Sequence, residues 1–169
     1  MIELKRYTQE YQQETVARID NFVKEHVRLF NTKANLTQRL TQSIEILNEW
    51  TAPGRELYMI LKDGQTVGFL HINFRVRGNA WMEDIYVVPG RRQSGVATLA
   101  IKQAETMVRQ RSDCQNICLD VVPRNTAALR LYQKLGYNKI SRITISKQLQ
   151  PGNDTSLQSE EFVGLDFKI

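Results

Sequence analysis

The chain has 169 residues, 41% apolar and 24% charged, and its nine glycines and four prolines are too few for a collagen-like or low-complexity chain. That length suits one domain, 1–169, with a substantial core, and excludes disorder and fibre. Twenty-three basic residues against 18 acidic leave a net charge of +5, which mildly favours an anionic ligand. The basic residues are spread along the chain without an RNA-binding signature or a recognition-helix pattern, so no nucleic-acid partner is expected. No apolar run approaches the roughly 20 residues that cross a bilayer, and the opening MIELKRYTQEYQQE turns polar before a signal-peptide core could form. A cytoplasmic protein without a membrane partner is the expectation. Cys114 and Cys118 are the two cysteines, and His26 and His71 the two histidines, far from them in sequence. That is too little for a zinc site or a disulfide scaffold, and no metal is expected.

In chain order, 2–8 reads as a first strand, followed by an amphipathic helix with Val16, Ile19, Phe22, Val23, Val27 and Phe30 on one stripe and Asn31 at its end. Leu36, Leu40, Ile44 and Leu47 repeat the stripe in a second helix that Pro53-Gly54 stops. Strands follow at 56–62, 65–75 and 80–88, with Asp63-Gly64 as a tight hairpin and Arg77-Gly78-Asn79 as the second reversal. After Pro89-Gly90 the period becomes helical, with Val96, Leu99, Ala100, Ala104, Met107 and Val108 on one face. The next strand, 116–122, lacks alternation, as a strand covered on both faces would. A crossover helix between it and 80–88 makes the two parallel. Asn125 caps a short helix with Ala128, Leu131, Tyr132 and Leu135 on one face and Gly136 beyond its end. Strands near 137–149 and 161–169, joined by a polar loop at 152–159, complete an α+β architecture: a mixed, mostly antiparallel sheet with helices on both faces.

The stretch from Asp84 to Ala100 reads strand, turn, helix, with Arg91, Arg92 and Gly95 in the turn. A helix N-terminus presents unpaired N–H groups and partial positive charge, so residues 92–98 suit a phosphate or pyrophosphate. Neither a Walker-type glycine loop nor a dinucleotide Gly-x-Gly-x-x-Gly is present, which disfavours the nucleotide folds.

Arg92-Gln-Ser-Gly95-Val-Ala97 and, further on, Asn125-Thr-Ala-Ala-Leu-Arg-Leu-Tyr132-Gln-Lys-Leu-Gly136-Tyr137 together resemble the GNAT superfamily of N-acetyltransferases. The first matches the family's Arg/Gln-x-x-Gly-x-Gly/Ala signature, with Ala97 as its tolerated variant, and the second its Asn-x-x-Ala-x-x-x-Tyr-x-x-x-Gly-Phe/Tyr segment. The resemblance implies acetyl-coenzyme A as co-substrate, its pantetheine arm between two splayed parallel strands. The backbone of Tyr86, Val87 and Val88 would bond the arm. Arg92, Gln93, Gly95, Val96 and Ala97 would hold the pyrophosphate on their N–H groups near Thr98, and Asn125 would contact the arm.

Transfer to a primary amine needs a proton acceptor, because an alkylamine pKa of about 10 leaves little free base at neutral pH. Glu83 and Asp84 are the available carboxylates, and strand parity places them on opposite faces, so that one alone would face the cleft. The string Glu-Asp-Ile-Tyr-Val resembles polyamine- and antibiotic-modifying members and favours Glu83 as the base. Tyr132 is the matching acid for the leaving thiolate, and the N–H near Val87 would meet the thioester oxyanion. The expected function is acetylation of a small-molecule primary amine. A protein or peptide N-terminal acetyltransferase and a non-catalytic acyl-coenzyme A sensor are the alternatives. Trp50, Trp81 and the final strand either pack internally or form a homodimer face.

Overall fold

Asp63 and Gly64 both adopt positive φ, 51° and 79°, and close a two-residue hairpin of the hand that suits twisted strands. The strands it joins, β2 (Arg55–Lys62) and β3 (Gln65–Asn73), belong to a five-stranded sheet with β1 (Ile2–Arg6), β4 (Gly78–Val87) and β5 (Cys114–Cys118), ordered β1-β2-β3-β4-β5. All neighbours are antiparallel except β4 and β5, which are parallel, as the crossover helix between them dictates. This computed structural model describes residues 1–30, 39–123, 125–141, 159–162 and 165–168. It divides into two units: Met1–Asp120, which holds this sheet, and Val121–Ile169.

In the first unit, α1 (Gln12–Phe30) and α2 (Arg39–Trp50) cover one face of the sheet. Ile19 and Phe22 from α1 and Leu47 and Trp50 from α2 pack on Leu57, Met59, Phe69 and Tyr86. Trp50 is 6% exposed, its ring 5.1 Å from that of Phe69, so it packs internally. The intervening strand residues Tyr58, Ile60, Leu70, Ile72 and Met82 are buried as well. Period-2 alternation turns them to the other face, toward the stripe Val96, Ala100, Ile101, Ala104 and Val108 of α3 (Val96–Arg109). Gln103 of α3 covers the outer edge of β1: Leu4 N–H donates to its Oε1 at 2.9 Å, and its Nε2 donates to the Ile2 carbonyl at 2.7 Å.

Several expectations need correction. The buried stripe of α2 runs through Ser43, Leu47 and Trp50, and Ile44 is 42% exposed. Leu36 and Asn31 lie outside the described residues, as does the Leu40 side chain. On α3, Ile101 replaces Leu99, which is 47% exposed. Gly78, with φ 77°, opens β4 instead of closing the turn, and the reversal falls on 74–77. The last strand of the sheet ends at Cys118 with Gln115 and Asn116 exposed, so it is shorter and wetter than a strand covered on both faces.

The second unit contains α4 (Thr126–Lys134) and a hairpin of β6 (Ser159–Phe162) with β7 (Leu165–Lys168). Asn125 caps α4, its side-chain oxygen accepting from Ala128 N–H at 3.2 Å, and Gly136, at φ 95°, follows its end. Residues 137–141 are irregular where a strand was expected, and 142–158 lie outside the described residues, except that the expected loop's last position, Ser159, begins β6. Among the described residues, no helix is long and apolar enough to cross a membrane.

Candidate active site

Between β4 and α3 the chain makes one 3-10 turn, Pro89–Arg91, and then two left-handed steps, Gln93 at φ 57° and Gly95 at φ 78°. Positive φ at these two positions curls the turn into a concave nest of amides. The first bond of α3 runs from Leu99 N–H to the Gly95 carbonyl, so the amides of Val96, Ala97 and Thr98 precede it without a helical acceptor. Helix polarity adds partial positive charge there. Among the described residues, a Cβ built on Gly95 meets nothing within 4 Å, so the space beside that residue is open. Arg92 N–H is already given to the Pro89 carbonyl at 3.2 Å. Of the five amides expected to hold a pyrophosphate, Arg92's is therefore committed elsewhere in this structure.

Among the described residues, the strand leading into that turn has a bare edge. Pairing of β4 with β5 stops at Trp81↔Cys118. Val88 N–H donates to the Val67 carbonyl at 2.9 Å, and the Tyr86 carbonyl points at Gly68, so both residues turn their polar groups toward β3. Alternation then directs Val87 N–H to the side that β5 leaves unpaired. The Val87 carbonyl is capped by Arg92 Nε at 2.7 Å, while Arg92 Nη2 meets both oxygens of Glu25 on α1 at 2.9 and 2.7 Å. The same guanidinium lies 5.5 Å from the centroid of the buried Tyr86 ring, whose hydroxyl burial pushes up in pKa. Arg92 is thus a brace between α1, the end of β4 and the nest.

The acidic pair departs from strand parity. In the β3–β4 register His71 pairs with Asp84 and Ile72 with Met82, which leaves Glu83 as the extra residue of a β-bulge. The bulge turns Glu83 onto the same face as Asp84, so both carboxylates share it, contrary to the expectation of one. Glu83 accepts from Arg55 Nη1 at 2.9 Å and from Asn73 Nδ2 at 2.8 Å. Arg55 also pairs with Glu49 of α2 at 3.0 Å. Asp84 Oδ2 lies 3.0 Å from His71 Nδ1, and Glu83 Oε2 lies 3.7 Å from the same nitrogen. Ligand-type atoms of His71, Glu83 and Asp84 all fall within 4.8 Å of one another, but the Arg55 guanidinium is already seated on Glu83. From α1, the half-buried His26 has its pKa lowered chiefly by burial, against the opposing charges of Asp84 and Glu25.

In the second unit Asn125 is engaged as the cap of α4. Tyr132 is 9% exposed, with its ring 5.7 Å from that of Tyr137 in an edge-to-face contact. Sequence reasoning found neither Arg55, Asn73 and His71 around the carboxylates nor Glu25 behind Arg92. A single histidine in the apolar run of β3 was the one visible signal, and from the sequence it reads as a strand packing residue.

An unpaired strand edge that runs into an amide nest at a helix start forms a cradle for an extended carrier ending in a pyrophosphate, the build of an acyl-coenzyme A-binding fold. The chain belongs to the acetyltransferase (GNAT) family, whose model matches residues 17–137. It is 32% identical over 89 residues to aminoglycoside N(6')-acetyltransferase type 1 of Acinetobacter haemolyticus, a match that covers 48% of this chain and 61% of the relative. The chain thus spans about three fifths of the length of the curated relatives it matches. In fold it is similar to the Bacillus subtilis protein YycN, with a TM-score of 0.68 and 18% identity over 89% of this chain and 100% of that one. AAC(6')-Iy, solved with the bisubstrate analogue CoA-S-monomethyl-acetylneamine, superposes with a TM-score of 0.62 at 20% identity, covering 88% of this chain and 98% of that one. At these identities the structural likeness concerns the fold alone.

Proposed function

We propose that the chain, 1–169, acts as one N-acetyltransferase domain that moves the acetyl group of acetyl-coenzyme A to a primary amine of a small molecule. The observation that carries this reading is the bulge at Glu83, which sets two carboxylates on one face of the strand whose bare edge ends at the amide nest. An alkylammonium has a pKa of about 10, so roughly one molecule in a thousand is free amine at neutral pH. Glu83, oriented by Arg55 and Asn73, takes the proton, with Asp84 beside it. Four residues of strand from Glu83 to Val87 span about 13 Å, beyond a direct hydrogen bond and beyond one bridging water, so a chain of waters carries the proton between amine and carboxylate. The freed nitrogen attacks the thioester carbonyl, its oxygen met by Val87 N–H; the C–N bond forms, the C–S bond breaks, and Tyr132 gives the departing sulfur its proton. Gln93, Gly95, Val96, Ala97 and Thr98 hold the pyrophosphate and Asn125 the arm. Arg92 serves as the brace, since its amide and guanidinium are both engaged.

A small, multiply charged amine as acceptor is supported by the name of the curated relative and by a local surface in which Glu49, Glu83 and Asp84 outnumber Arg55. The pH profile of Glu83→Gln tests the reading. Transfer should fall by about 10²–10⁴-fold at neutral pH and by much less above the acceptor's pKa, with acetyl-coenzyme A affinity unchanged. A profile of unaltered shape and height removes Glu83 from the chemistry.

A further inference from the structure

The carboxylate pair rests against a buried imidazole that the mechanism above does not use. His71 in β3 is 0% exposed and stacks on Trp50, with ring centroids 4.9 Å apart and planes 18° from parallel. Its Nδ1 lies 3.0 Å from Asp84 Oδ2, whereas its Nε2 is sealed from solvent with no hydrogen-bond partner among the described residues. A carboxylate only accepts, so the ring carries its proton at Nδ1 and donates it to Asp84. The orphaned Nε2 makes histidine a poorer packing residue at this position than phenylalanine, which would stack on Trp50 without burying an unpaired nitrogen. What histidine adds is the donor.

We propose that His71 is a positioning residue that fixes the Asp84 carboxylate beside Glu83, so that the acceptor's ammonium meets two carboxylates instead of one. The proposal rests on the reading of Glu83 as the amine-facing carboxylate. The bulge brings both residues to one face, but their side chains need separate anchors. Glu83 has Arg55 and Asn73, and Asp84, with its side chain 16% exposed, has His71. Without that donor, Asp84 is free to rotate into water and away from the amine. A carboxylate that leaves its place no longer holds the bound ammonium, so the defect falls on acceptor binding rather than on the chemical step.

Two substitutions separate positioning from packing because they rank oppositely on the two scales. His71→Phe keeps the aromatic plate on Trp50 and removes both the donor and the orphaned nitrogen. His71→Asn keeps an N–H donor near the place of Nδ1 and loses the plate. Positioning predicts that H71F melts within a few degrees of wild type yet shows at least a tenfold loss in kcat/KM for a primary diamine, carried mainly by KM, with KM for acetyl-coenzyme A unchanged. H71N should melt lower yet recover most of the diamine activity. Asp84→Asn must reproduce the kinetic defect whether or not H71F folds, and the H71F/D84N pair should be no worse than D84N alone. Wild-type diamine kinetics in H71F or D84N, or an equal loss toward acetyl-coenzyme A, overturns the proposal and leaves the Glu83 reading standing. Absence of transfer by the wild-type protein to any primary amine overturns both.

Discussion

Gly68→Ala perturbs the cleft from behind, through a residue that touches neither substrate. Gly68 pairs with Val87, and a Cβ placed on it would lie 2.0 Å from the Tyr86 carbonyl oxygen, 3.1 Å from the Tyr86 carbonyl carbon and 3.2 Å from Val87 Cα. All three atoms are backbone, so no side chain can swing aside, and β4 must retreat by about 1 Å to restore contact distance. Overpacking of this kind costs about 1–3 kcal/mol. In a chain of this length that lowers Tm by about 2–12 °C. The displaced segment carries Val87 N–H, and a shift of about 1 Å at a reacting centre lowers turnover by about 10²-fold. Thermal melts and kcat/KM measured on the same preparation are the assay. G68A with the Tm and turnover of wild type would show that β4 does not sit where the structure puts it, and would refute the placement of Val87 on the bare edge.

Gly95→Glu should still fold but melt lower, because its Cβ meets nothing within 4 Å among the described residues while φ 78° strains any side chain by about 1–2 kcal/mol. It should lose acetyl-coenzyme A binding by calorimetry, since a carboxylate would enter the nest meant for a pyrophosphate. Unchanged affinity on natively folded protein discards the nest. Tyr132→Phe should bind acetyl-coenzyme A and slow single-turnover transfer by about 10²–10⁴-fold; normal transfer with a lower Tm would make the hydroxyl structural. Burial holds His26 neutral to lower pH than in the unfolded chain, which therefore takes up more protons as pH falls below about 6.5, and stability drops in that window. His26→Gln should flatten the loss of Tm between pH about 7.5 and about 5.5; an equally steep loss assigns the acid sensitivity to other groups.

Much of the frame was legible because local signals agreed. Asp63-Gly64 fixed the hairpin, the 16/19/22 stripe fixed the buried face of α1, and the helix between β4 and β5 required them to be parallel. The strand-turn-helix around Gly95 was legible as well, since a glycine between a strand and a helical period marks a helix start. Elements that depend on irregular backbone were not. Parity assigned Glu83 and Asp84 to opposite faces because a period of two assumes an unbroken ladder, and one inserted residue reverses the assignment without leaving a mark in composition. His71 could not be joined to Asp84 until the β3–β4 register was known. On α2 the apolar spelling of Ile44 outweighed the polar Ser43, although Ser43 is the buried one. Arg92 matched its motif, but its partner Glu25 is 67 residues earlier in the chain, beyond any local pattern.

The most direct test of the central claim is mass spectrometry of the acceptor after incubation with acetyl-coenzyme A, with an aminoglycoside, a primary diamine and a peptide with a free N-terminus supplied in parallel. The account predicts a gain of one acetyl group on the aminoglycoside or the diamine, matched by free thiol release and absent with G95E. Acetylation of the peptide alone, or no acetyl gain on any acceptor by a protein that binds acetyl-coenzyme A, would contradict it.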